Sequence, residues 1–197
     1  VLIGGRIGFV LFYGLQDFLQ NPLSIVAVWK GGMASHGGFI GVAIAVIWFS
    51  RQHKFPPLST GDLVVSAAVP GLLLGRIANF INGELWGRIT DVPWAVIFPQ
   101  GGWVPRHPSQ LYEALLEGLV LFTFLQWRLW KTSILQKHPG RLSGEFLVGY
   151  SILRFFCEFF REPDASLIAG LSRGQFYSIL SLIAGVGLMA FAIKTSR

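Results

Sequence analysis

Apolar residues run along this chain in long stretches, and polar residues collect between them. Six stretches approach the roughly 20 residues that a helix needs to cross a hydrocarbon core. They cover 1–16, 33–50, 62–81, 111–128, 142–160 and 174–193. Turn material separates them: Asn21-Pro22, Pro56-Pro57, His138-Pro139-Gly140 and Glu162-Pro163-Asp164. The longest connection, 82–110, carries Trp86, Trp94 and Trp103 and predicts an ordered surface element at headgroup level. There is no internal repeat, low-complexity run or second soluble region. The pattern predicts one all-α, polytopic membrane helix bundle over 1–197.

Composition agrees. Hydrophobic residues make up 52% and charged residues 13%, against roughly 25% charged in an average soluble domain. The single Cys157 excludes an internal disulfide and any multi-cysteine metal site. A formal charge of +6 could point to nucleic acid, but the basic residues punctuate apolar runs and so report topology first. Arg51, Lys54, Arg128, Lys131, Lys137, Arg141, Lys194 and Arg197 fall on one side of the alternating spans. Lys30, Arg88, Arg106, Arg161 and Arg173 fall on the other. This bias predicts a cytoplasmic C-terminus, with 17–35, 82–110 and 161–173 facing outward. The chain opens at Val1-Leu2-Ile3 with no signal peptide and reads as starting part-way into a longer protein.

The last stretch, 174–193, is free of ionisable residues. The other five carry Arg6; His36; Arg76; Glu113 and Glu117; and Arg154 with Glu158. A central Arg costs about 2.5–3.5 kcal/mol on insertion scales, which makes function the default reading of such residues. The densest group is the segment from Gly75 to Gly87. In helical register Arg76, Asn79 and Gly83 share a face, and an Arg fork matches phosphate oxygens. Glycines 71, 75, 83 and 87 would admit a helix or a headgroup. Snorkelling of Arg76 with simple helix packing stands beside phosphate binding as an equal reading.

Tyr150, Arg154, Glu158 and Arg161 form one helical stripe with one positive charge in excess. The stripe is either structural neutralisation or half of an anionic-lipid site. His36, flanked by Gly37 and Gly38, is either an interfacial residue or a proton acceptor with room for substrate beside it. Arg106-His107-Pro108-Ser109-Gln110-Leu111-Tyr112-Glu113 reads as a helix entry, from which Glu113 could orient an Arg or the His. Cys157 is rejected as a nucleophile because an apolar span and a neighbouring carboxylate disfavour its thiolate.

The segment from Gly75 to Gly87 resembles the signature of the prolipoprotein diacylglyceryl transferase family. Further similar features follow in order: Gly5-Arg6-Ile7-Gly8 with Phe12-Tyr13, His36-Gly37-Gly38, His107 to Glu113, and Arg154 through Glu158 to Arg161-Glu162-Pro163-Asp164. The resemblance implies a seven-span protein of the bacterial cytoplasmic membrane, of which six spans are visible and the first is missing. It implies transfer of diacylglyceryl from phosphatidylglycerol to the lipobox cysteine of a prolipoprotein, with release of glycerol phosphate and no metal or organic cofactor.

On that resemblance Arg76 and Arg154 would hold the phosphate and His36 would take the thiol proton. Arg6, Asn79, Asn82, Glu84, Gly87, Glu113, Tyr150, Glu158 and Arg161 would orient lipid or arginines near the outer leaflet. The partners would be membrane lipids and prolipoprotein signal peptides, with no nucleic acid. The competing readings are a small transporter or lipid flippase, and a structural membrane subunit that leaves the polar cluster at 76–84 unexplained.

Overall fold

The computed structural model describes residues 1–197 apart from 13, 23–25, 27–31, 33, 164–166, 169 and 196–197, and the side chains of 12, 16, 17, 35, 36 and 195. Tyr13, Lys30, Asp164, Arg197 and the His36 imidazole therefore lie outside the described residues. The chain forms two compact units, Val1–Gly61 and Asp62–Arg197.

In the first unit α1 (Leu2–Phe12) packs against α3 (Ser35–His53), with the short α2 (Leu15–Gln20) after α1. Glycines line the α1–α3 contact, and a Cβ on Gly37 would overlap the Gly4 carbonyl. Such small-residue faces let helices meet backbone to backbone. Gly37 thus serves packing, so of the two glycines expected to leave room for a substrate, Gly38 alone keeps space beside it. Lys54 closes α3 in the left-handed region at φ 57°, and α4 (Pro57–Ile81) starts on proline, whose missing N–H costs nothing in a first turn.

The second unit takes most of α4 and then the 82–110 connection, which is ordered. Its strands β1 (Val96–Ile97) and β2 (Pro105–Arg106) pair antiparallel, with Val96 opposite Arg106. A continuous helical rod follows. It comprises α5 (Ser109–Glu113), a π-helical stretch Ala114–Val120 and α6 (Leu121–Lys131), and the backbone at both junctions keeps right-handed helical angles. The short α7 (Ile134–Lys137), then α8 (Arg141–Cys157) and α9 (Arg173–Thr195), complete the unit, and α8 packs along α9. Each predicted stretch is helical over most of its length, with ends displaced by a few residues.

α4 and α9 are each long and apolar enough to cross a membrane. Many large apolar side chains face outward, and several charged ones lie inside. Leu74, Leu115, Leu119, Phe124, Trp127, Ile183 and Val186 are exposed, whereas Asp62, Gln110, Glu113, Glu117, Glu145 and Glu158 are buried. Buried charge needs partners, and most of the ion pairs found join separate elements, while Arg141–Glu145 and Arg154–Glu158 are spaced one helical turn apart. Asp62 on α4 accepts the N–H groups of Gly140 (2.8 Å) and Ser143 (2.7 Å) and the Ser143 hydroxyl (2.6 Å), which caps α8 from outside it. The apolar core beside it consists of Val69, Leu121, Leu125, Ile134 and Leu142.

Candidate active site

The ionisable residues singled out on α4, the rod and α8 lie within reach of one another. Glu113 and Glu117 project from the rod, Arg76 from α4, and Arg154 from the last turn of α8. The α8 chain then runs on past Cys157 to Glu158 and Arg161. Glu113, with no exposed surface, is the hub. Arg76 Nε lies 2.8 Å from its Oε2, while Arg154 Nη1 at 2.9 Å and Arg161 Nη1 at 3.3 Å meet Oε1. The Arg76 approach is a charge contact off the hydrogen-bond direction and leaves Glu113 Oε2 without an aligned donor. Glu117, equally buried, takes longer contacts from Arg76 Nη2 (3.4 Å) and Arg154 Nη1 (3.5 Å).

Arg154 also grips Glu158, one helical turn on. Three guanidinium groups therefore face three carboxylates. The positive excess expected of the stripe is cancelled by Glu117, an ionisable residue of the fourth stretch that was not among the expected site residues. Both Glu113 and Glu117 lie at or inside the π-helical stretch, a distortion that recurs at functional sites.

Glu158 is held from its far side by the start of α9. Ser172-Arg173-Gly174-Gln175 is a capping box: the Gln175 N–H donates to Ser172 Oγ and the Ser172 N–H to Gln175 Oε1, both at 3.1 Å. The Ser172 hydroxyl is left to donate to Glu158 Oε2 at 2.6 Å. Gly174 presses on the same carboxylate, and a side chain there would overlap it. Glu158 thus sits against a helix N-terminus, where a negative charge is favoured. A cavity of about 300 Å³ opens at this point. Its lining includes Arg154, Glu158, Arg161, Ser172 and Arg173, a volume at the lower end of small-molecule sites. Arg173 adds a positive charge to the balanced cluster, so the lining suits an anion. The signal for Ser172 and Gln175 was present in the sequence as S-x-x-Q ahead of an apolar run.

The 82–110 connection clamps the end of α8. Gly87 N–H donates to the His107 carbonyl (3.0 Å) and Arg88 N–H to the Phe160 carbonyl (2.9 Å), and Gly87 bridges to Arg161. A Cβ at Gly87 would strike the carbonyls of His107 and Phe160, so only glycine fits between these two segments. Arg88 Nε adds a bond to the Arg161 carbonyl (3.0 Å), and Arg106 ties Gly87 O (3.1 Å) to Glu162 (3.2 Å). Gly87 acts by placing Arg161. Ser109 and Gln110, both buried, hold the carbonyls of Leu85 and Glu84 at 3.3 and 2.7 Å. His107 Nδ1 faces the Tyr112 hydroxyl at 3.2 Å, which also accepts from Trp94.

Three predicted residues of the signature stand apart from the arginines. Asn79 and Asn82 both donate to Glu84 Oε1, at 2.9 and 3.2 Å, at the exposed exit of α4. These amide bonds hold the Glu84 carboxyl below its ordinary value. Arg76 and Asn79 therefore take different partners. Gly83, expected on their face, has already left the helix with φ 66°. Gly71 and Gly75, expected to admit a neighbouring helix, have open space among the described residues where a Cβ would point.

Tyr150 stacks on Phe146 and packs against the apolar core one turn below Arg154. In the first unit Arg6 is buried, donates to the Gly32 carbonyl at 3.0 Å and lies over the Phe9 ring. His36 lies in the first turn of α3. Cys157 is fully buried on the α8 stripe.

Residues 1–191 match the family model described as prolipoprotein diacylglyceryl transferase. A Rhodospirillum centenum protein named phosphatidylglycerol–prolipoprotein diacylglyceryl transferase is 52% identical over 198 residues, covering 98% of this chain and 71% of its own length. Proteins of the same name from Zymomonas mobilis (52% identical, 98% of this chain and 68% of that protein) and Nitrosomonas europaea (48%, 98% and 70%) agree. With its buried arginine–glutamate site and this similarity along nearly its whole length, the chain belongs to the prolipoprotein diacylglyceryl transferase family.

Proposed function

We propose that this protein transfers the diacylglyceryl group of phosphatidylglycerol to the thiol of a prolipoprotein lipobox cysteine, within the bacterial cytoplasmic membrane. The observation that carries the reading is the buried meeting of Arg76, Arg154 and Arg161 on Glu113 beside a cation-lined cavity. With six spans and a cytoplasmic C-terminus, this cavity lies toward the outer leaflet, where lipid enters sideways between helices and the peptide arrives from outside.

The reaction is a displacement at carbon. The substrate cysteine loses its proton to a base, its sulfur forms a bond to the glycerol carbon, and the bond from that carbon to the phosphate oxygen breaks. Glycerol phosphate leaves with the electron pair. Leaving-group charge grows on the phosphate, so donors fixed beforehand at that position stabilise the transition state more than the ground state. Arg154 and Arg161 line the cavity and supply those donors, and Arg76 shares their carboxylates.

The glutamates hold the forks in place without neutralising every N–H, because each guanidinium offers five. His36 takes the thiol proton on the strength of its residue type and the open flank at Gly38. Glu158, fixed by Ser172, orients Arg154. Arg6, Tyr150 and the Asn79–Asn82–Glu84 knot contribute to lipid binding.

The test supplies acyl-labelled phosphatidylglycerol and a lipobox peptide to the protein in liposomes and follows peptide mass. A diacylglyceryl gain that needs the peptide cysteine and is lost in Arg154→Ala and His36→Ala supports the assignment. Phosphatidylglycerol crossing the bilayer with no mass gain would replace it with the flippase reading. Arg76→Lys keeps the charge but loses the fork; a drop of tenfold or more is expected, and full activity in that variant would show that the site does not need the Arg76 fork.

A further inference from the structure

The end of α8 opposite Arg154 carries a second charged cavity, which the proposed reaction does not use. It measures about 310 Å³, and its lining includes Arg128, Thr132, Lys137, His138 and Arg141. Arg128 grips Glu145 with two bonds, Nε to Oε2 at 2.7 Å and Nη2 to Oε1 at 2.6 Å, and Arg141 Nε shares Oε1 at 3.1 Å. That buried carboxylate sets one negative charge against the three cations of Arg128, Lys137 and Arg141. Donors remain on both arginines, and the Lys137 ammonium has no acidic partner among the described residues. The helix start itself is not available to a ligand, because Asp62 already takes the N–H groups of Gly140 and Ser143. Any anion here is bound by side chains.

A second observation fixes the level of the cavity. Trp127 and Trp130 are 56% and 79% exposed on the same turns of α6 that carry Arg128. The helix surface before them is open and apolar at Leu119, Val120 and Phe124. Exposed tryptophans next to cations and after an apolar stretch mark the membrane–water interface. The cavity therefore lies where lipid phosphates lie, with an apolar track for acyl chains leading away from it.

We propose that this cavity binds the phosphate ester of an anionic membrane lipid, at the membrane face opposite the reaction site. Basic pockets between membrane helices bind phosphate headgroups by charge and forked hydrogen bonds. Inorganic phosphate has the same chemistry, and the Trp127–Trp130 belt favours the lipid. The proposal does not rest on the transfer reaction.

Native mass spectrometry of the detergent-solubilised protein tests it with cardiolipin, phosphatidylethanolamine and inorganic phosphate as probes. Cardiolipin is expected to be retained over zwitterionic phosphatidylethanolamine, about fivefold more weakly in Lys137→Gln and about 25-fold more weakly when Arg141→Gln is added. Lys137 is exposed and makes no ion pair among the described residues, so its single variant folds and decides the matter even if the double variant does not. Equal retention of cardiolipin by Lys137→Gln, or no preference over phosphatidylethanolamine, overturns the proposal. Saturation by inorganic phosphate without cardiolipin retention overturns the lipid assignment.

Discussion

Replacing Glu113 by Gln removes one charge and almost no volume, so its effect isolates the electrostatics of the hub. Three cationic nitrogens lie 2.8, 2.9 and 3.3 Å from that carboxylate. At an effective dielectric constant of about 20 each contact represents about 5–6 kcal/mol of direct attraction. Desolvation of the buried charges offsets most of it. What remains on breaking such a network by removing one partner is about 3–5 kcal/mol.

Glu117→Gln is the internal control. It has the same burial and the same chemical change, but its contacts are only two and lie at 3.4 and 3.5 Å, so a cost of about 1–2 kcal/mol is expected. The two carboxylates share Arg76 and Arg154, which makes the double variant non-additive. Denaturant unfolding in micelles gives the stabilities, and lipid transfer gives the rate. Glu113→Gln should bind phosphatidylglycerol at least as well, because three forks are released, while turnover falls as their geometry loosens. A cost for Glu117→Gln equal to that of Glu113→Gln, or Glu113→Gln within about 0.5 kcal/mol of the parent, would refute the hub.

Three further outcomes follow from the same geometry. Gly87→Ala forces a side chain into the carbonyls of His107 and Phe160; it should cost about 2–3 kcal/mol and open the 82–110 connection to protease. Ser172→Ala strips the buried Glu158 of a donor and α9 of its cap. A loss of about 1–3 kcal/mol is expected, with Ser172→Thr restoring activity and unfolding midpoint together. The Glu84 carboxyl is depressed by Asn79 and Asn82. Its amide bonds are therefore complete above the ordinary carboxylate range and are lost as pH falls through the lowered value. An acid limb in the pH–rate profile should flatten in Glu84→Gln, and an unchanged limb would take the knot out of lipid binding.

Much of this protein is determined locally and was legible in order along the chain. An apolar run of about 20 residues forms a helix in a hydrocarbon core, because there its backbone groups must pair internally. The positions of the helices followed from that alone. The unusual cost of charge in such runs singled out Arg76, Glu113, Arg154 and Glu158. What the chain order could not supply is which charge meets which.

Arg76 and Glu117 are 41 residues apart, Arg154 and Glu117 37, Arg161 and Glu113 48. Their meeting depends on how three helices pack. Helical register put Asn79 with Arg76, yet the chain leaves the helix at Gly83 and brings Glu84 back to the amides. An isolated helix ignores that competing bond, and the fold makes it. The seating of Glu158 against the start of α9 exists only once α8 and α9 have packed. Sequence determined the helices and the residue types of the site, and packing decided the partners, because burial leaves a charge no alternative to the partners that the tertiary structure brings within reach.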